Sequence, residues 1–256
     1  MAHDLLLLSN SKLHGREYLE HALDAVSELL AGRRTVHFAP YALADHDAYT
    51  ARVADALSPL GVEVVGLHRT GDPRSAAESA EVLFVGGGNS FRLLKTIRRL
   101  GLIEPVRRRV EAGELAYLGS SAGTNHACPT IRTTNDMPIV QPDSLEAFGL
   151  VPFQINPHYQ DADPASTHMG ETREERIRQF LEENDVAVLG MREGAWLRRR
   201  GPSLTLGGTT GAILFRRAAD PAEIAGGTDL SHLLHLPARF DVPPDDPHHA
   251  AGTRAG

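Results

Sequence analysis

The chain has 256 residues, 41% of them hydrophobic and 23% charged, which is the composition of an ordinary soluble globular protein. Its formal net charge of −7, with no basic stripe along any segment, argues against nucleic-acid binding. The single cysteine, Cys128, excludes an internal disulfide framework and predicts a reducing, cytoplasmic environment. The first apolar run, residues 5–8, is far too short to span a membrane and is predicted to form a buried strand.

Up to about residue 118, short apolar runs alternate with amphipathic segments. The runs predict strands at residues 5–8, 35–39, 62–67, 81–85 and 115–118. The amphipathic segments predict helices at about residues 16–31, 47–60, 90–100 and 103–111, with a further helix starting at Asp72-Pro73. Continuous apolar strands that alternate with helices predict an α/β fold, with a mostly parallel sheet flanked by helices on both faces.

Beyond residue 186 the pattern changes to short strand-like runs separated by glycine-containing turns, at residues 186–191, 195–198, 203–206 and 212–216. We expect these runs to form a C-terminal antiparallel meander that closes one edge of the sheet. We expect one catalytic domain over residues 1–217 and a C-terminal extension over 218–256. From residue 240 onwards the sequence has no periodicity, which predicts partial disorder.

A serine between two glycines follows the predicted strand 115–118, in the sequence GSSAG at residues 119–123. Small neighbours let the backbone turn sharply enough to lift Ser121 off the end of the strand. Ser121 is therefore a candidate nucleophile at the carboxyl edge of the sheet, where backbone N–H groups can face an oxyanion. A plain small-residue turn is the alternative, because the pattern also occurs by chance.

Consecutive glycines at positions 86–88 follow the predicted strand 81–85. A dinucleotide-binding fingerprint would require glycine at position 91, where this chain has Phe91, and no lysine is placed as in a P-loop. Backbone N–H groups at the start of the next helix still suit an anion, including a transient oxyanion. The alternative is a tight turn that only allows strand and helix to pack.

His158 follows an apolar run and a proline, which places it at the same sheet edge as Ser121. Imidazole can take the proton of a serine hydroxyl near neutral pH, so His158 is the candidate base, with a hydrogen-bonded turn residue as the alternative. The base needs a carboxylate to hold its tautomer, and Asp136 and Glu193 both qualify. We slightly favour Glu193, because Asp136 lies in a polar loop that its side chain could order instead. Too few residues separate Ser121 from His158 for an α/β-hydrolase.

Longer segments resemble a known family. They are VGGGNSFRLL (85–94), GSSAG (119–123), CPTIRTTNDMPIV (128–140), QINPH (154–158) and GETRE (170–174), together with LLLLSNS at 5–11. These segments resemble the peptidase E family of bacterial α-aspartyl dipeptidases, serine peptidases whose wider family also holds cyanophycinase. The resemblance covers roughly residues 4–216, and its thirteen-residue segment is very specific.

The resemblance implies a fold related to the class I glutamine amidotransferases. It implies that Ser121 is the nucleophile, that His158 is the base, and that the N–H groups of Gly88 and Ala122 hold the oxyanion. It leaves the acid open, because residues matching both Asp136 and Glu193 have been proposed in the family.

The resemblance also implies two substrate-binding residues. Arg173 matches an arginine assigned to the aspartyl carboxylate of the substrate, and Asn89 lies in the glycine segment. In the sequence, Arg173 falls in the first turn of a helix with a capping box from Thr172 to Glu175, where a cation opposes the helix dipole. A solvated arginine is the alternative. Ser120 departs from the bulkier aromatic residue that we expect before the nucleophile.

The sequence therefore predicts a cytoplasmic serine exopeptidase that hydrolyses dipeptides with N-terminal aspartate (Asp-Xaa) through an acyl-enzyme on Ser121. We expect a small peptide as partner, no nucleic acid or membrane, and no metal or organic cofactor. His126, Cys128 and His158 lack the spacing of a known metal site. One alternative is a cyanophycinase-like hydrolase of β-linked aspartyl peptides. Another is a non-catalytic amidotransferase-like binding protein, which a missing nucleophile would mark. The oligomeric state is not predicted.

Overall fold

The computed structural model describes residues 3–162, 165 and 170–242. In chain order the strands are β1 (Asp4–Leu8), β2 (Thr35–Ala39), β3 (Glu63–Gly66), β4 (Val82–Val85), β5 (Ala116–Ser120), β6 (Gln154–Tyr159), β7 (Val188–Arg192), β8 (Ala195–Arg200), β9 (Ser203–Gly208), β10 (Ala212–Phe215) and β11 (Ala222–Ile224). The α-helices are α1 (Leu23–Leu30), α2 (His46–Leu57), α3 (Pro73–Ser79), α4 (Ser90–Arg99), α5 (Ile103–Glu111), α6 (Ala122–His126) and α7 (Arg173–Glu183). Among these helices, none is long and apolar enough to cross a membrane.

A seven-stranded sheet in the order β3-β2-β4-β5-β1-β8-β9 forms the centre of the protein. Its first five strands are parallel, and β8 and β9 add an antiparallel edge beside β1. Alternate side chains of β1 enter cores on opposite faces of the sheet, Leu5 and Leu7 on one side and Leu6 and Leu8 on the other. Burial on both faces explains why these strands are continuous apolar runs, and the predicted fold class is confirmed.

The C-terminal strands differ from the predicted single meander. Only β8 and β9 close the main sheet, whereas β7 and β10 lie in a second sheet of order β11-β10-β7-β6. Gly194, with a φ of +89°, turns the chain sharply between β7 and β8, so that the two strands enter different sheets. In the second sheet β7 pairs in parallel with β6, the strand that carries His158.

Residues 218–242, the described part of the expected C-terminal extension, pack on the rest of the chain. Strand β11 pairs with β10, Arg239 forms an ion pair with Asp185, and Arg132 bonds Asp241 at 2.7 Å. The segment predicted to be disordered begins at residue 240. Its first three residues belong to this packed part, where the Val242 N–H donates to the Glu183 carbonyl at 2.8 Å, and its remainder lies outside the described residues.

Candidate active site

Ser121 forms a strained elbow between β5 and α6. Its φ of 53° and ψ of −111° are unusual for a residue with a side chain and cost on the order of 1–3 kcal/mol. The Ser121 N–H donates to the Leu8 carbonyl at 3.0 Å, which fixes the elbow against the end of β1. The flanking glycines are needed because a Cβ on Gly119 would lie 2.8 Å from the Gly123 carbonyl oxygen, and one on Gly123 would collide with the Val85 carbonyl. The predicted sharp turn is present.

His158 lies at an irregularity of β6, where the register with β7 shifts between Asn156 and Tyr159. Such a bulge redirects a side chain, and the φ of 54° at His158 is a second uncommon positive value. The His158 N–H donates to the Ser9 hydroxyl oxygen at 2.9 Å, and the Ser9 hydroxyl donates to the Met191 carbonyl at 2.9 Å. The His158 ring is thereby aimed at the elbow, with Nε2 2.8 Å from Ser121 Oγ.

Glu193 occupies the other side of the His158 ring. Its Oε1 lies 2.7 Å from His158 Nδ1. The turn that carries it is held by the Gly194 N–H, which donates to Asn10 Oδ1 at 2.8 Å, and by Thr210 Oγ1, which donates to the Glu193 carbonyl at 2.7 Å. Because a carboxylate only accepts, Nδ1 carries the proton and Nε2 is left to accept the proton of Ser121. This arrangement can activate a serine.

Asp136, the other candidate acid, does not bond His158. Its Oδ2 accepts from the Ser90 N–H at 2.7 Å at the beginning of α4, and lies 3.2 Å from Thr134 Oγ1. Asp136 therefore orders its loop and caps a helix, while its carboxyl group also lines the cleft beside Ser121. Of the two candidate acids, the structure brings Glu193 to the base.

The glycine turn lies directly against the nucleophile. A Cβ on Gly87 would come within 2.9 Å of Ser121 Cβ, and one on Gly88, whose φ is +131°, within 2.8 Å of the Ala42 carbonyl oxygen. Within the described residues, neither the Gly88 N–H nor the Ala122 N–H donates a hydrogen bond to another group. Both N–H groups are therefore available to an anion formed at Ser121.

Asn89 caps the helix that follows the glycine turn. Its Oδ1 accepts from the Arg92 N–H at 3.0 Å, and its Nδ2 donates to the Met137 carbonyl at 2.8 Å. The amide is thus used on both sides within the protein, and the substrate contact of Asn89 stays a prediction.

The cleft above Ser121 has two lobes that share Ser121, Asp136 and His158. The Arg173 lobe is lined further by Ala122, Asn135, Gln160 and Arg173. The Arg52 lobe is lined further by Ser11, Tyr18, Tyr49, Arg52 and Gly88. A substrate placed over Ser121 can extend into both.

Arg173 is a partly buried cation without a fixed partner. It is the first residue of α7, whose predicted capping box is present, with the Glu175 N–H donating to Thr172 Oγ1 at 3.1 Å. No described residue forms a hydrogen bond or ion pair with its guanidinium. Burial, and next the charge of Arg176, lower the pKa of Arg173, whereas the Asp136 carboxylate has the opposite effect. A partly desolvated guanidinium in this position is suited to a carboxylate ligand.

His126 and Cys128 are buried beside the elbow and form hydrogen bonds with backbone groups of α6 and β6. His126 Nδ1 donates to the Ala122 carbonyl at 2.7 Å, and Cys128 Sγ accepts from the Ile155 N–H at 3.1 Å. Burial lowers the pKa of His126 to about 4 and raises the pKa of the Cys128 thiol, so both are uncharged near neutral pH. Within the described residues, no group of three or more His, Cys, Asp or Glu side chains could hold a metal ion.

Ser9 and Asn10 have a supporting role that the sequence pattern did not predict. Both are buried polar residues just after β1, where they hold His158 and the turn of Glu193. A signal existed, because polar residues that directly follow a buried parallel strand lie at the carboxyl edge of the sheet, where sites form. Nor did the sequence predict a role for Arg52, an exposed residue of α2.

A serine elbow with a Ser–His–Glu arrangement on a mostly parallel α/β sheet defines the class of this protein as a serine hydrolase. The sequence model of Peptidase family S51 matches residues 5–207, and the chain belongs to this family. It is a serine-type peptidase, and its substrate is a peptide.

Similar proteins are found in bacteria and in an animal. The chain is 60% identical to Peptidase E of Streptomyces coelicolor, over 93% of this chain and 98% of that protein. It is 49% identical to the "Probable alpha-aspartyl dipeptidase" of Drosophila melanogaster, over 91% and 98%. A crystal structure of a peptidase from an acI-B1 Actinobacterium shares the fold, with a TM-score of 0.64, 15% identity, and coverage of 90% of this chain and 97% of that one.

Proposed function

We propose that this chain is a cytoplasmic serine exopeptidase that hydrolyses dipeptides with N-terminal aspartate through an acyl-enzyme on Ser121. Two of its similar proteins are named Peptidase E and alpha-aspartyl dipeptidase. The observation that carries the proposal is the partly buried Arg173, whose guanidinium has no described partner and lines the same cleft as Ser121. A carboxylate on the substrate would complete this site.

The reaction uses the residues around the elbow. His158 Nε2 takes the Ser121 proton while Oγ attacks the scissile carbonyl carbon, and the N–H groups of Gly88 and Ala122 stabilise the resulting oxyanion. The imidazolium, paired with Glu193, gives its proton to the leaving amine as the C–N bond breaks. Water, deprotonated by His158, then attacks the carbonyl carbon of the acyl-enzyme; the ester bond to Ser121 Oγ breaks, His158 returns the proton to Oγ, and aspartate is released. Each of these steps is a proton transfer or an acyl transfer that the named groups can perform.

The Asp136 carboxylate is suited to bind a second charged group of the substrate, its ammonium. An N-terminal aspartyl residue carries a carboxylate on its side chain and an ammonium on its Cα. Arg173 and Asp136 line the same lobe beside Ser121, so one can hold the carboxylate and the other the ammonium. An anion for the free ammonium would restrict the enzyme to the N-terminal residue of its substrate.

A substrate panel tests the proposal. Purified protein is incubated with Asp-Leu, Asn-Leu, Leu-Leu and cyanophycin, with and without EDTA, and released amino acids are measured. We expect hydrolysis of Asp-Leu, little hydrolysis of the other two dipeptides, and no effect of EDTA. Cleavage of cyanophycin with Asp-Leu left intact would refute the proposal in favour of the β-aspartyl alternative.

The role of Arg173 has its own variant. Arg173→Met should lower kcat/KM for Asp-Leu by about 10- to 150-fold, because one charge-assisted bidentate pair contributes roughly 1.5–3 kcal/mol. The rate on Leu-Leu should change far less. Arg178→Met is the matched control, since Arg178 lies on the same helix but pairs with Glu174 at the surface. Equal losses on Asp-Leu and Leu-Leu would show that Arg173 supports the fold or the nucleophile instead.

A further inference from the structure

A second cation lines the cleft on the far side of the nucleophile. Arg52 lies on α2, three residues after Tyr49, so the two side chains share one face of the helix. Both line the Arg52 lobe, which meets the Arg173 lobe at Ser121 and His158. The two arginines therefore line different lobes of one cleft, and both lobes include the reacting groups.

Arg52 is not used to hold the protein together. Its side chain is exposed and has no hydrogen-bond or ion-pair partner among residues 3–162, 165 and 170–242. Tyr18 and Tyr49 form the floor beside it, with their hydroxyl oxygens 3.2 Å apart. Burial raises the pKa of both phenols, whereas the positive charge of Arg52 acts on both in the opposite direction.

The tyrosine pair connects the lobe to the glycine turn. The Tyr49 hydroxyl packs against Gly86, at 2.5 Å from the position where a Cβ would be. Gly88, whose N–H is a proposed oxyanion donor, lines the same lobe. The residues beside Arg52 in this lobe therefore border the proposed oxyanion site.

We propose that Arg52 binds the C-terminal carboxylate of the substrate, and that this contact makes the enzyme select dipeptides. The inference rests on the proposed function, in which Arg173 and Asp136 hold the aspartyl residue in one lobe. With the scissile carbonyl over Ser121, the leaving residue must extend into the other lobe. In a dipeptide that residue ends in a carboxylate only two bonds from the scissile nitrogen.

The charges of enzyme and substrate then match along the cleft. Asp-Xaa carries a side-chain carboxylate, an ammonium and a terminal carboxylate, and the cleft offers Arg173, Asp136 and Arg52. A longer peptide has an uncharged amide where the dipeptide has its carboxylate, so it leaves Arg52 without an anion. Asp-leucinamide, in which the C-terminal carboxylate of Asp-Leu is replaced by an amide, also leaves Arg52 without an anion, but it is no longer than the dipeptide.

The test compares Asp-Leu with Asp-leucinamide for the wild type, Arg52→Met and the control Arg34→Met. Arg34 is an exposed arginine outside both lobes, so its replacement removes the same charge elsewhere. The wild type and Arg34→Met should prefer Asp-Leu by roughly fivefold in kcat/KM, the upper end for an ion pair with an exposed arginine. In Arg52→Met the ratio of the two kcat/KM values should fall to about one, mainly because KM for Asp-Leu rises. Hydrolysis of the amide shows that the variant is folded.

The inference is overturned if the wild type shows no preference for Asp-Leu over its amide, or if Arg52→Met keeps the full preference. In both cases hydrolysis of Asp-Leu leaves the proposed function standing. If the wild type hydrolyses neither compound, the proposed function fails, and the assignment of Arg52 fails with it.

Discussion

Replacing Glu193 by Gln removes the negative charge behind the base while keeping an oxygen that can accept from His158. In the transition state His158 is an imidazolium whose Nδ1 lies 2.7 Å from Glu193 Oε1. Two unit charges about 4 Å apart attract by about 1 kcal/mol in water and about 4 kcal/mol at an effective dielectric constant of 20. The Glu193 and His158 side chains are 48% and 37% exposed, so we take an intermediate value of about 2 kcal/mol. This corresponds to roughly a 30-fold loss of kcat.

The loss is larger if the new amide turns its NH₂ group toward Nδ1, because the imidazole is then held in the wrong tautomer. In the Ser–His–Asp serine proteases an Asp→Asn change of this kind costs about 10⁴-fold. We therefore expect Glu193→Gln to lower kcat for Asp-Leu by at least about 30-fold. Steady-state kinetics on Asp-Leu measures this directly.

Asp136→Asn is the matched comparison, because it also removes one carboxylate from the cleft. Since Asp136 is proposed to bind the substrate ammonium, its replacement should act chiefly through KM. Its effect should shrink on succinyl-leucine, which keeps the scissile amide and the side-chain carboxylate but has no ammonium. The reasoning is refuted if Glu193→Gln stays within threefold of the wild type while Asp136→Asn loses kcat equally on both compounds.

Further changes test the elbow and its support. Ser121→Ala should lower kcat by about 10⁴–10⁶-fold, whereas Ser120→Ala, which removes a buried hydroxyl without a described partner, should remain active. Gly87→Ala places a Cβ 2.9 Å from Ser121 Cβ and should cost about 100-fold in kcat by displacing the nucleophile, while Gly71→Ala, with open space around its Cβ, should have wild-type kinetics. His126 is neutral when folded, with a pKa of about 4, so stability should be lost as the pH falls from about 6.5 to 4, by about 3 kcal/mol in all. The free energy of unfolding, measured by denaturant titration at several pH values, should fall less steeply with decreasing pH in His126→Asn than in the wild type. The same pH dependence in both proteins would contradict this.

The parallel sheet could be predicted because strands that are buried on both faces are continuous apolar runs in the sequence. β4 and β5 are buried at every position, and residues 82–85 and 116–118 are unbroken apolar runs that can be recognised without knowing which strands they pair with. β7 and β10 are equally apolar, yet they leave the main sheet. Which sheet a short apolar strand joins depends on its neighbours in space and on the turn at Gly194, and neither is visible in a local pattern.

The kind of site could be predicted from the sequence, but not all of the residues that form it. Ser121 follows β5 at the carboxyl edge of the main sheet, as predicted, whereas His158 lies within β6 of the second sheet and not just past the end of a strand. Asp136 and Glu193 both lie in loops at that edge, and only the direction of the His158 ring, set by the bulge in β6, decides between them. Arg52 gave no signal, because an arginine on a helix face that also carries alanine and aspartate has the pattern of a solvated surface.

Three consecutive residues at the end of β1 hold the three members of the Ser–His–Glu arrangement in place. The Leu8 carbonyl accepts from the Ser121 N–H at 3.0 Å, the Ser9 hydroxyl oxygen accepts from the His158 N–H at 2.9 Å, and Asn10 Oδ1 accepts from the Gly194 N–H, beside Glu193, at 2.8 Å. Two of the anchored residues have positive φ, so their conformations persist only because the surroundings fix them. Strand β1 lies between β5 and β8 in the interior of the main sheet, and all its leucines are fully buried. The spacing of nucleophile, base and acid is therefore set by one rigid strand, although the three residues themselves come from distant parts of the chain.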